Sequence, residues 1–465
     1  MRRKIYEKLL KWKHESKGKT ALLIDGARRV GKSWIAEEFA RHEYASYVIV
    51  DFSKAGPKLK RIFNLYLDDL DTFFLHFQQL TRTKLVRDNA LVIFDEVQKF
   101  PRAREAIKHL VADGRYHYLE TGSLISINKN VKNILIPSEE RRIKMYPMDF
   151  EEFLWALGDE ATMPLVRQSF DRLLPLGRDE HELTMNRFRE YMVVGGMPQA
   201  VAAYLETHDL AFVDQVKRDV LELYRADMLK FAGALKTKVR AVFNAIPASL
   251  SRHEKRVVLA DIRDNAKMRD FDSTFEWLAA SMIVNVCYNA SEPNVGLELN
   301  ADRMTLKCYL GDTGLLVSHA FGENELAAKD IHARLLTGDI ELNEGMLMEN
   351  VVAQMLRAAG HELFFYSRSE AEGASERMEI DFLLARSKTE RRGNISPIEV
   401  KSSRRYTTTS LTKYRRKFSR FLDRSYVLHT KDVTTDADGV IRIPIYMAPF
   451  LVSRDQANLT KGKQW

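Results

Sequence analysis

The feature that most constrains the fold is a glycine-rich loop between an apolar segment and a helical one. Residues Gly26–Ser33 read GARRVGKS and follow the apolar run Leu22–Ile24. The next residues, Trp34–Phe39, have the spacing of a helix. A strand, a Gly-x-x-x-x-Gly-Lys-Ser loop and a helix in this order predict a phosphate-binding P-loop rather than a chance glycine turn.

Each residue type in this loop suits a polyphosphate. The two glycines let the backbone approach the phosphates, and amide groups at the start of the helix point at the anion. We expect Lys32 to reach the β- and γ-phosphates and Ser33 to place its hydroxyl on Mg²⁺. The residues predicted to bind ATP in this loop are Gly26, Arg29, Val30, Gly31, Lys32 and Ser33.

A second motif favours hydrolysis of the nucleotide. The apolar run Ala90–Phe94 ends in Asp95 and Glu96, as in a buried parallel strand with acids at its carboxyl end. Asp95 is predicted to hold Mg²⁺ through water, and Glu96 to polarise the attacking water as a catalytic residue. Alone, such a run more often marks a strand that leaves the core, but beside a P-loop it predicts an ATPase.

A further strand end carries small hydroxyl residues. Thr121 and Ser123 follow the run Tyr116–Glu120, and either hydroxyl could bond the γ-phosphate or the attacking water. Taken singly, each fits an ordinary turn equally well. Strands alternate with helical segments over residues 20–147, which predicts an α/β domain with a mostly parallel, helix-covered sheet.

The length of 465 residues suggests roughly three or four domains. We predict a P-loop domain at 1–148, a helical lid at 149–235, a winged-helix-like domain at 236–325 and a C-terminal α/β domain at 326–465. The helical part is interrupted at Gly195–Pro198, where two glycines require a turn. The winged-helix interpretation depends on helices followed by strands near Val284–Tyr288 and Lys307–Leu310.

Composition narrows the cellular context. The chain has two cysteines, Cys287 and Cys308, far apart in sequence. A disulfide framework and a cysteine-based zinc site are therefore not expected. The same composition predicts that the protein is located in the reducing cytoplasm. No secretory signal or apolar run of the ~18 residues needed for a membrane span is visible, so we expect no membrane partner.

Positive charge is concentrated near the C-terminus. The net charge is +8 overall, while residues 391–420 contain ten lysines and arginines against the single acid Glu399. Tyr406, Tyr414 and Phe418 lie within this basic segment, a composition that suits a nucleic-acid backbone with occasional base stacking. A solvated helix face explains the charge equally well.

The same region predicts a metal site. Alternation places Asp381 on one face of a strand, and Glu399 and Lys401 on one face of the next. If the two strands pair as a hairpin, two carboxylates and a lysine meet, as Mg²⁺-dependent attack on a phosphodiester requires. Glu349 lies on the apolar face of a predicted helix and is a further metal ligand, or forms a salt bridge, for instance to Lys401.

These motifs resemble known families. Asp381, Glu399-Val400-Lys401 and Glu349 resemble the PD-(D/E)xK restriction-endonuclease-like fold, in which the matching residues hold Mg²⁺ and cleave DNA or RNA. The whole chain resembles AAA-like ATPases that combine a P-loop domain with a C-terminal domain of unknown function. This second resemblance spans nearly the full length and includes Gly26–Ser33, Phe94–Glu96, Thr121–Ser123, Met145–Phe153, Gly195–Pro198, Tyr309–Leu316 and Pro397–Lys401.

Together, the motifs predict an ATP-regulated, Mg²⁺-dependent enzyme that acts on nucleic acid, most simply DNA. The catalytic set is Glu96 for ATP, and Asp381, Glu399 and Lys401 for the phosphodiester. The alternative is a nucleotide-switched module that binds DNA or protein through an inactive nuclease-like domain. Homo-oligomers or protein partners are compatible with both, and Arg141 or Arg142 is then a candidate arginine finger.

Overall fold

The computed structural model describes residues 1–122, 139–252, 254–262, 266–293, 296–321, 334–337, 344–368, 377–385, 393–403, 405–435 and 437–451. Ser123 and Arg404 lie outside these ranges. The chain divides into two compact units. The N-terminal unit contains Met1–Tyr146, Asp227–Gly233 and Ala280–Met282, and the C-terminal unit contains Pro147–Ala226, Ala234–Ala279 and Ile283–Trp465.

Strands and helices alternate in the first 146 residues, as the sequence predicts. The elements are α1 (Ile5–Ser16), β1 (Ala21–Gly26), α2 (Lys32–Glu43), β2 (Ser46–Asp51), α3 (Pro57–Leu65), α4 (Leu70–Thr81), β3 (Ala90–Asp95), a 3₁₀ turn (Val97–Lys99), α5 (Pro101–Asp113), β4 (His117–Gly122) and β5 (Glu140–Met145).

The strands described in the N-terminal unit form one five-stranded sheet of order β2-β3-β4-β1-β5. Every neighbouring pair is parallel, which confirms the predicted parallel sheet. All six residues of β1 are buried, as expected for a strand covered on both faces. Because β4 lies between β1 and β3, Thr121 at its end comes between the P-loop and Asp95.

One face of this sheet packs on an aromatic core. Phe52, Phe63 and Phe94 contact one another edge to face, with ring centroids 5.5–5.8 Å apart. Helices α3, α4 and α5 contribute further buried side chains, including Phe73 and Ile107. This packing fixes β3, and therefore the position of the two acids that follow it.

The elements of residues 147–451 are α6 (Phe150–Ala156), α7 (Thr162–Arg172), α8 (Arg178–Val194), α9 (Pro198–Thr207), α10 (Leu210–Phe231), α11 (Lys236–Leu250), α12 (Asp272–Ala280), β6 (Val284–Ala290), β7 (Ala301–Leu310), α13 (Thr313–Phe321), α14 (Glu344–Ala358), β8 (Leu363–Arg368), β9 (Met378–Ala385), β10 (Ile395–Val400), α15 (Thr409–Phe418), β11 (Ser425–His429), β12 (Thr434–Thr435), β13 (Val440–Pro444) and a 3₁₀ segment (Ile445–Phe450).

As far as the chain is described, the strands of the C-terminal unit form one eight-stranded mixed sheet of order β12-β13-β11-β10-β9-β8-β6-β7. Strands β9 and β10 are antiparallel, with Phe382 opposite Ile398. The predicted pairing of these two strands is therefore confirmed, and Asp381 and Glu399 lie one residue beyond this pair on each strand.

The structure differs from the predicted winged-helix-like domain. Its two strands, β6 and β7, pair with each other, but β6 also pairs in parallel with β8, where Cys287 is opposite Leu363. The predicted boundary at 325/326 thus separates strands that belong to one sheet. The sequence showed a helix followed by two strands, but it did not show that β6 has a second partner beyond residue 360. The other domain boundaries stay predictions.

The motif Gly195–Pro198 forms the turn that its glycines predict. This turn packs against Asp312, which belongs to the motif Tyr309–Leu316. Gly195 has φ +84°, and a Cβ added at Gly196 would lie under 3.0 Å from the carbonyl oxygen of Met148. Gly196 N donates to Asp312 Oδ2 at 2.6 Å, and Leu315 N donates to Asp312 Oδ1 at 2.9 Å. The turn after α8 is therefore joined to the start of α13 through one buried carboxylate.

None of the described helices is both long enough and apolar enough to cross a membrane. Cys287 and Cys308 are buried free thiols.

Candidate functional site

The P-loop geometry begins with the glycine at the end of β1. A Cβ added at Gly26 would lie under 3.0 Å from the carbonyl oxygen of Met145 on β5, so this position requires glycine. Arg29 and Gly31 have φ +71° and +97°, and Gly31 directly precedes α2. Val30 between them is fully buried. The loop therefore turns tightly at the helix N-terminus, where backbone amides favour an anion.

The lysine of the loop is buried and held by the loop itself. Lys32 Nζ donates to the carbonyl oxygens of Gly26 at 3.0 Å and Ala27 at 2.9 Å. Burial lowers the pKa of Lys32, and the charges of Glu96, Asp25 and Asp95 oppose that shift. Asp25, which sequence reasoning did not single out, thus belongs to the electrostatic surroundings of this lysine.

Three predicted residues meet at one carboxylate. Ser33 Oγ donates to Asp95 Oδ1 at 2.7 Å, and Thr121 Oγ1 donates to the same oxygen. Glu96 N donates to Thr121 Oγ1 at 3.3 Å. Hydroxyl and carboxylate oxygens are the ligands that a nucleotide-bound Mg²⁺ prefers, and the buried lysine beside them suits the phosphates. The residues present therefore fit ATP and Mg²⁺, with Ser33 and Asp95 as the metal-holding groups.

Glu96 occupies a special backbone position. Its φ is +54°, which bends the chain away from β3 at the carboxyl edge of the sheet. Gln98 Nε2 donates to Glu96 Oε2 at 2.6 Å, and Gln98 is itself buried. Gln98 thus positions the predicted catalytic carboxylate. No local pattern predicts this role, because a polar residue after a strand is common.

The two candidate arginine fingers form ion pairs within the chain. Arg142 Nε donates to Glu140 Oε1 at 2.6 Å, and Arg141 Nη1 lies 3.5 Å from Glu15 Oε2. A role on a neighbouring subunit stays a prediction for both. Ser123 lies outside the described residues, so its predicted role stays a prediction as well.

The second predicted site is in the C-terminal unit. Asp381 Oδ2 accepts a hydrogen bond from Val400 N at 2.8 Å, and Glu399 Oε1 accepts one from Leu411 N at 2.9 Å. Lys401 Nζ lies 3.0 Å from Glu399 Oε2. The antiparallel pairing of β9 and β10 thus brings both acids and the lysine to neighbouring positions, as the alternation predicted.

Further charged residues join this site that the sequence analysis missed. Lys307 Nζ lies 2.7 Å from Glu379 Oε1, 3.5 Å from Glu349 Oε2 and 3.6 Å from Asp381 Oδ1. Lys255 Nζ lies 2.6 Å from Glu349 Oε1. Glu349 therefore pairs with two lysines, neither of which is Lys401. The carboxylate cluster comprises Lys255, Lys307, Glu349, Glu379, Asp381, Glu399 and Lys401.

The mutual charges within the carboxylate cluster shift its pKa values. Burial, with help from the charge of Glu349, raises the pKa of Asp381 to about 7. Burial alone would also raise the pKa of Glu349, but Lys255 and Lys307 outweigh it and lower that pKa to about 2. Burial disfavours the charged form of Lys307, but the three acids around it raise its pKa well above the usual value. Glu349 and Lys307 are therefore an ionised pair at neutral pH.

The predicted metal ligands do not fit a divalent ion in this arrangement. Within the described ranges, no three His, Cys, Asp or Glu side chains are grouped so that they could hold a metal ion. Glu349, Asp381 and Glu399 instead each have cationic or hydrogen-bonding partners from the protein. Their assignment as metal ligands stays a prediction that this geometry does not support.

The N-terminal part of the chain matches a family of described function, and the later parts match families of unknown function. Residues 18–154 match the family model of an AAA domain. Residues 185–326 and 344–447 match two families described as domains of unknown function, DUF8612 and DUF4143. Together with the P-loop geometry, the first match identifies residues 18–154 as an AAA-like P-loop ATPase domain. No curated protein matches the chain.

Solved structures align with the chain only distantly. PCH-2 of C. elegans is 13% identical with a TM-score of 0.26; the match covers 44% of this chain and 62% of PCH-2, less than two thirds of its length. ORC1 of Aeropyrum pernix in complex with DNA is 11% identical over 72% of this chain and 93% of its own, with a TM-score of 0.26. Drosophila ORC bound to AT-rich DNA and Cdc6 is 9% identical over 71% and 91%, with a TM-score of 0.23. TM-scores this low support no conclusion about this chain.

Proposed function

We propose that the protein hydrolyses ATP at the P-loop and that the nucleotide state controls a C-terminal unit that binds nucleic acid. The observation that supports hydrolysis is the hydrogen-bonded group around Asp95, with Ser33 and Thr121 donating to one carboxylate oxygen. Glu96 follows directly and is positioned by Gln98. A phosphate-binding loop without an acid at this place would bind the nucleotide but would not activate water.

Each residue would contribute a separate step. Lys32 would exchange the loop carbonyls for phosphate oxygens and neutralise their charge, and the amides near Gly31 would hold the same group. Mg²⁺, held by Ser33 and Asp95, would supply further charge neutralisation. Glu96 would accept a proton from the attacking water, and Thr121 would orient Asp95 through the hydrogen bond that it already donates.

We expect Glu96→Gln to lower the ATP turnover rate by at least about 100-fold while nucleotide binding is retained, because only the proton acceptor is lost. Lys32→Ala should weaken nucleotide binding itself. The measurements are steady-state phosphate release and titration with a fluorescent ATP analogue. Glu105→Gln, a change at an exposed acid of α5, is the matched control. Unchanged turnover in Glu96→Gln would contradict the assignment.

The C-terminal part of the proposal depends on helix α15. Leu411 and Tyr414 are buried and anchor this helix, while Arg416 and Lys417 are exposed. Arg405 and Arg420 are exposed nearby. Two exposed cations on an anchored helix, with two more next to it in the chain, suit contact with a phosphate backbone. The partner is therefore proposed to be DNA or RNA, held mainly through its phosphates.

Reversal of two of these charges tests the nucleic-acid proposal. We expect Arg416→Glu with Lys417→Glu to weaken binding of labelled DNA and RNA at least about tenfold, with a salt slope reduced by about 2. Fluorescence anisotropy in EDTA, over a range of salt, measures both quantities. Reversal of the exposed pair Arg102 and Lys108 on α5 is the control. Equal affinities for both double variants would contradict a role for α15.

Metal-dependent cleavage of nucleic acid is the competing function. It has less support, because the acids predicted to hold the metal are engaged by lysines. A cleavage assay on the same labelled DNA and RNA, with Mg²⁺ or Mn²⁺ and with or without ATP, distinguishes cleavage from binding alone. Cleavage that disappears in Asp381→Ala would establish the nuclease, and intact substrate with salt-sensitive binding would favour the binding module.

A further inference from the structure

Lys307 is the least expected member of the carboxylate cluster. It lies on β7, its side chain is fully buried, and three acids surround its ammonium group at 2.7–3.6 Å. Two of them, Glu349 and Asp381, are residues that the nuclease resemblance assigns to Mg²⁺. The ammonium group of this side chain therefore neutralises acids that, by the resemblance, a metal ion would neutralise.

Each oxygen of the three predicted metal ligands lies near a cation or a hydrogen-bond donor of the protein. Glu349 Oε1 is bound by Lys255, and Glu349 Oε2 accepts a hydrogen bond from Tyr309 at 2.8 Å. Asp381 Oδ2 accepts a hydrogen bond from Val400 N, and its Oδ1 lies 3.6 Å from Lys307 Nζ. Glu399 Oε1 accepts a hydrogen bond from Leu411 N, while its Oε2 accepts none from the described residues and lies 3.0 Å from Lys401 Nζ. A divalent ion would have to displace these partners.

Lys307 is held in place by its strand. It is opposite Cys287 on β6, and its other side forms an isolated bridge with Arg256. Its ammonium group also lies 5.1 Å from the centroid of the Phe365 ring. The backbone is therefore fixed on both sides, so withdrawal of the ammonium group from the cluster would leave buried acids unpaired at a high cost.

Charge within the cluster is already nearly balanced. Three lysines, Lys255, Lys307 and Lys401, face the four acids of the cluster. Addition of a doubly charged ion without loss of a lysine would leave excess positive charge in a buried site. Replacement of Lys307 by an uncharged side chain, in contrast, would leave an excess of carboxylates that favours a divalent ion.

We infer that Lys307 takes the place of the divalent cation in this centre, so that the C-terminal unit is stabilised by an internal ammonium group and does not bind Mg²⁺ there. The centre then has no metal with which to activate water. The strands β7, β9 and β10 keep their fold, and Lys401 keeps its position. This inference depends only on the cluster and is independent of ATP hydrolysis at the P-loop.

The test is to remove the internal cation. In the full chain without nucleotide, we expect Lys307→Met to bind one Mn²⁺ at least tenfold more tightly than the wild type, measured by calorimetry and by the Mn²⁺ paramagnetic resonance signal. The double variant Lys307→Met with Asp381→Asn should lose this gain. Lys255→Met is the matched control, because it frees only one oxygen of Glu349 and leaves Lys307 in the cluster.

Two results would overturn the inference. One is Mn²⁺ binding by the wild type that disappears in Asp381→Asn. This measurement needs no Lys307 variant, so it tests the inference even if Lys307→Met does not fold. The other is a folded Lys307→Met protein without any gain in Mn²⁺ affinity. Both readouts are separate from ATP turnover and from nucleic-acid binding in EDTA, so failure here is distinguishable from failure of the proposed function.

Discussion

Gly196→Ala is expected to destabilise the C-terminal unit by at least about 3 kcal/mol. An added Cβ would lie under 3.0 Å from the backbone nitrogen and oxygen of Met148. These backbone atoms cannot move aside as a flexible side chain can, and Met148 N also donates to Gly196 O at 2.7 Å. The turn must therefore shift, and the buried carboxylate of Asp312 then loses its donor Gly196 N.

The surroundings of Gly196 increase this cost. Gly195 and Gly314 also approach each other, and a Cβ on Gly314 would lie under 3.0 Å from Gly195 Cα. Gln354 Nε2 donates to Tyr191 Oη at 2.9 Å, and Tyr191 Oη donates to Met148 O at 2.9 Å. A shift of the turn would thus disturb several buried polar groups, each of which costs free energy when it loses its partner.

Thermal unfolding and hydrogen exchange measure the effect of Gly196→Ala. Peptides that cover residues 191–197 and 310–316 should lose protection first. Gly345→Ala is the matched control, because Gly345 lies in α14 and its added Cβ would meet only ordinary contacts at 3.8 and 3.9 Å. That change should be neutral or stabilise the helix by up to about 1 kcal/mol. Equal melting temperatures for both variants would refute the close-packing explanation.

Functional residues that lie close together in the chain could be predicted from the sequence. The loop that contains Gly26 and Lys32, and the strand that ends in Asp95 and Glu96, could be interpreted from a few neighbouring residues. The position of Asp381 beside Glu399 followed from two alternating strands and one short connection. The structure places these residues together as predicted, although their roles in catalysis and metal binding stay predictions.

The sequence was uninformative where contacts join distant segments. Lys307 stands in β7, and a lysine in a strand ordinarily points to solvent. Only the pairing of β7 with β6, and of β6 with β8, places it among Glu349, Glu379 and Asp381. The partner of Gly196 is likewise 116 positions away in the chain, at Asp312. Local patterns predict a turn or a strand at such positions, but not the groups that they meet.

Arg104→Met is expected to destabilise the N-terminal unit by about 3–5 kcal/mol, because it removes one partner of a buried ion pair. Arg104 donates to both carboxylate oxygens of Glu140 at 2.9–3.1 Å, and both side chains are at most 1% exposed. Burial raises the pKa of the neighbouring Glu120 well above its usual value, and the charge of Glu140 raises it further. Without Arg104, the buried carboxyl groups of Glu120 on β4 and Glu140 on β5 would keep only the exposed Arg142 as a described cationic partner.

A second arginine on the same helix supplies the control for Arg104→Met. Arg102 is 48% exposed and pairs with Glu105 three residues later at 3.1 Å, and exposed pairs of this kind contribute at most about 1 kcal/mol. Arg102→Met should therefore leave thermal unfolding nearly unchanged. In Arg104→Met, hydrogen exchange should increase in peptides that cover β4 and β5, and ATP turnover should fall because β4 carries Thr121. If the two variants unfold at the same temperature, the buried pair does not stabilise this sheet.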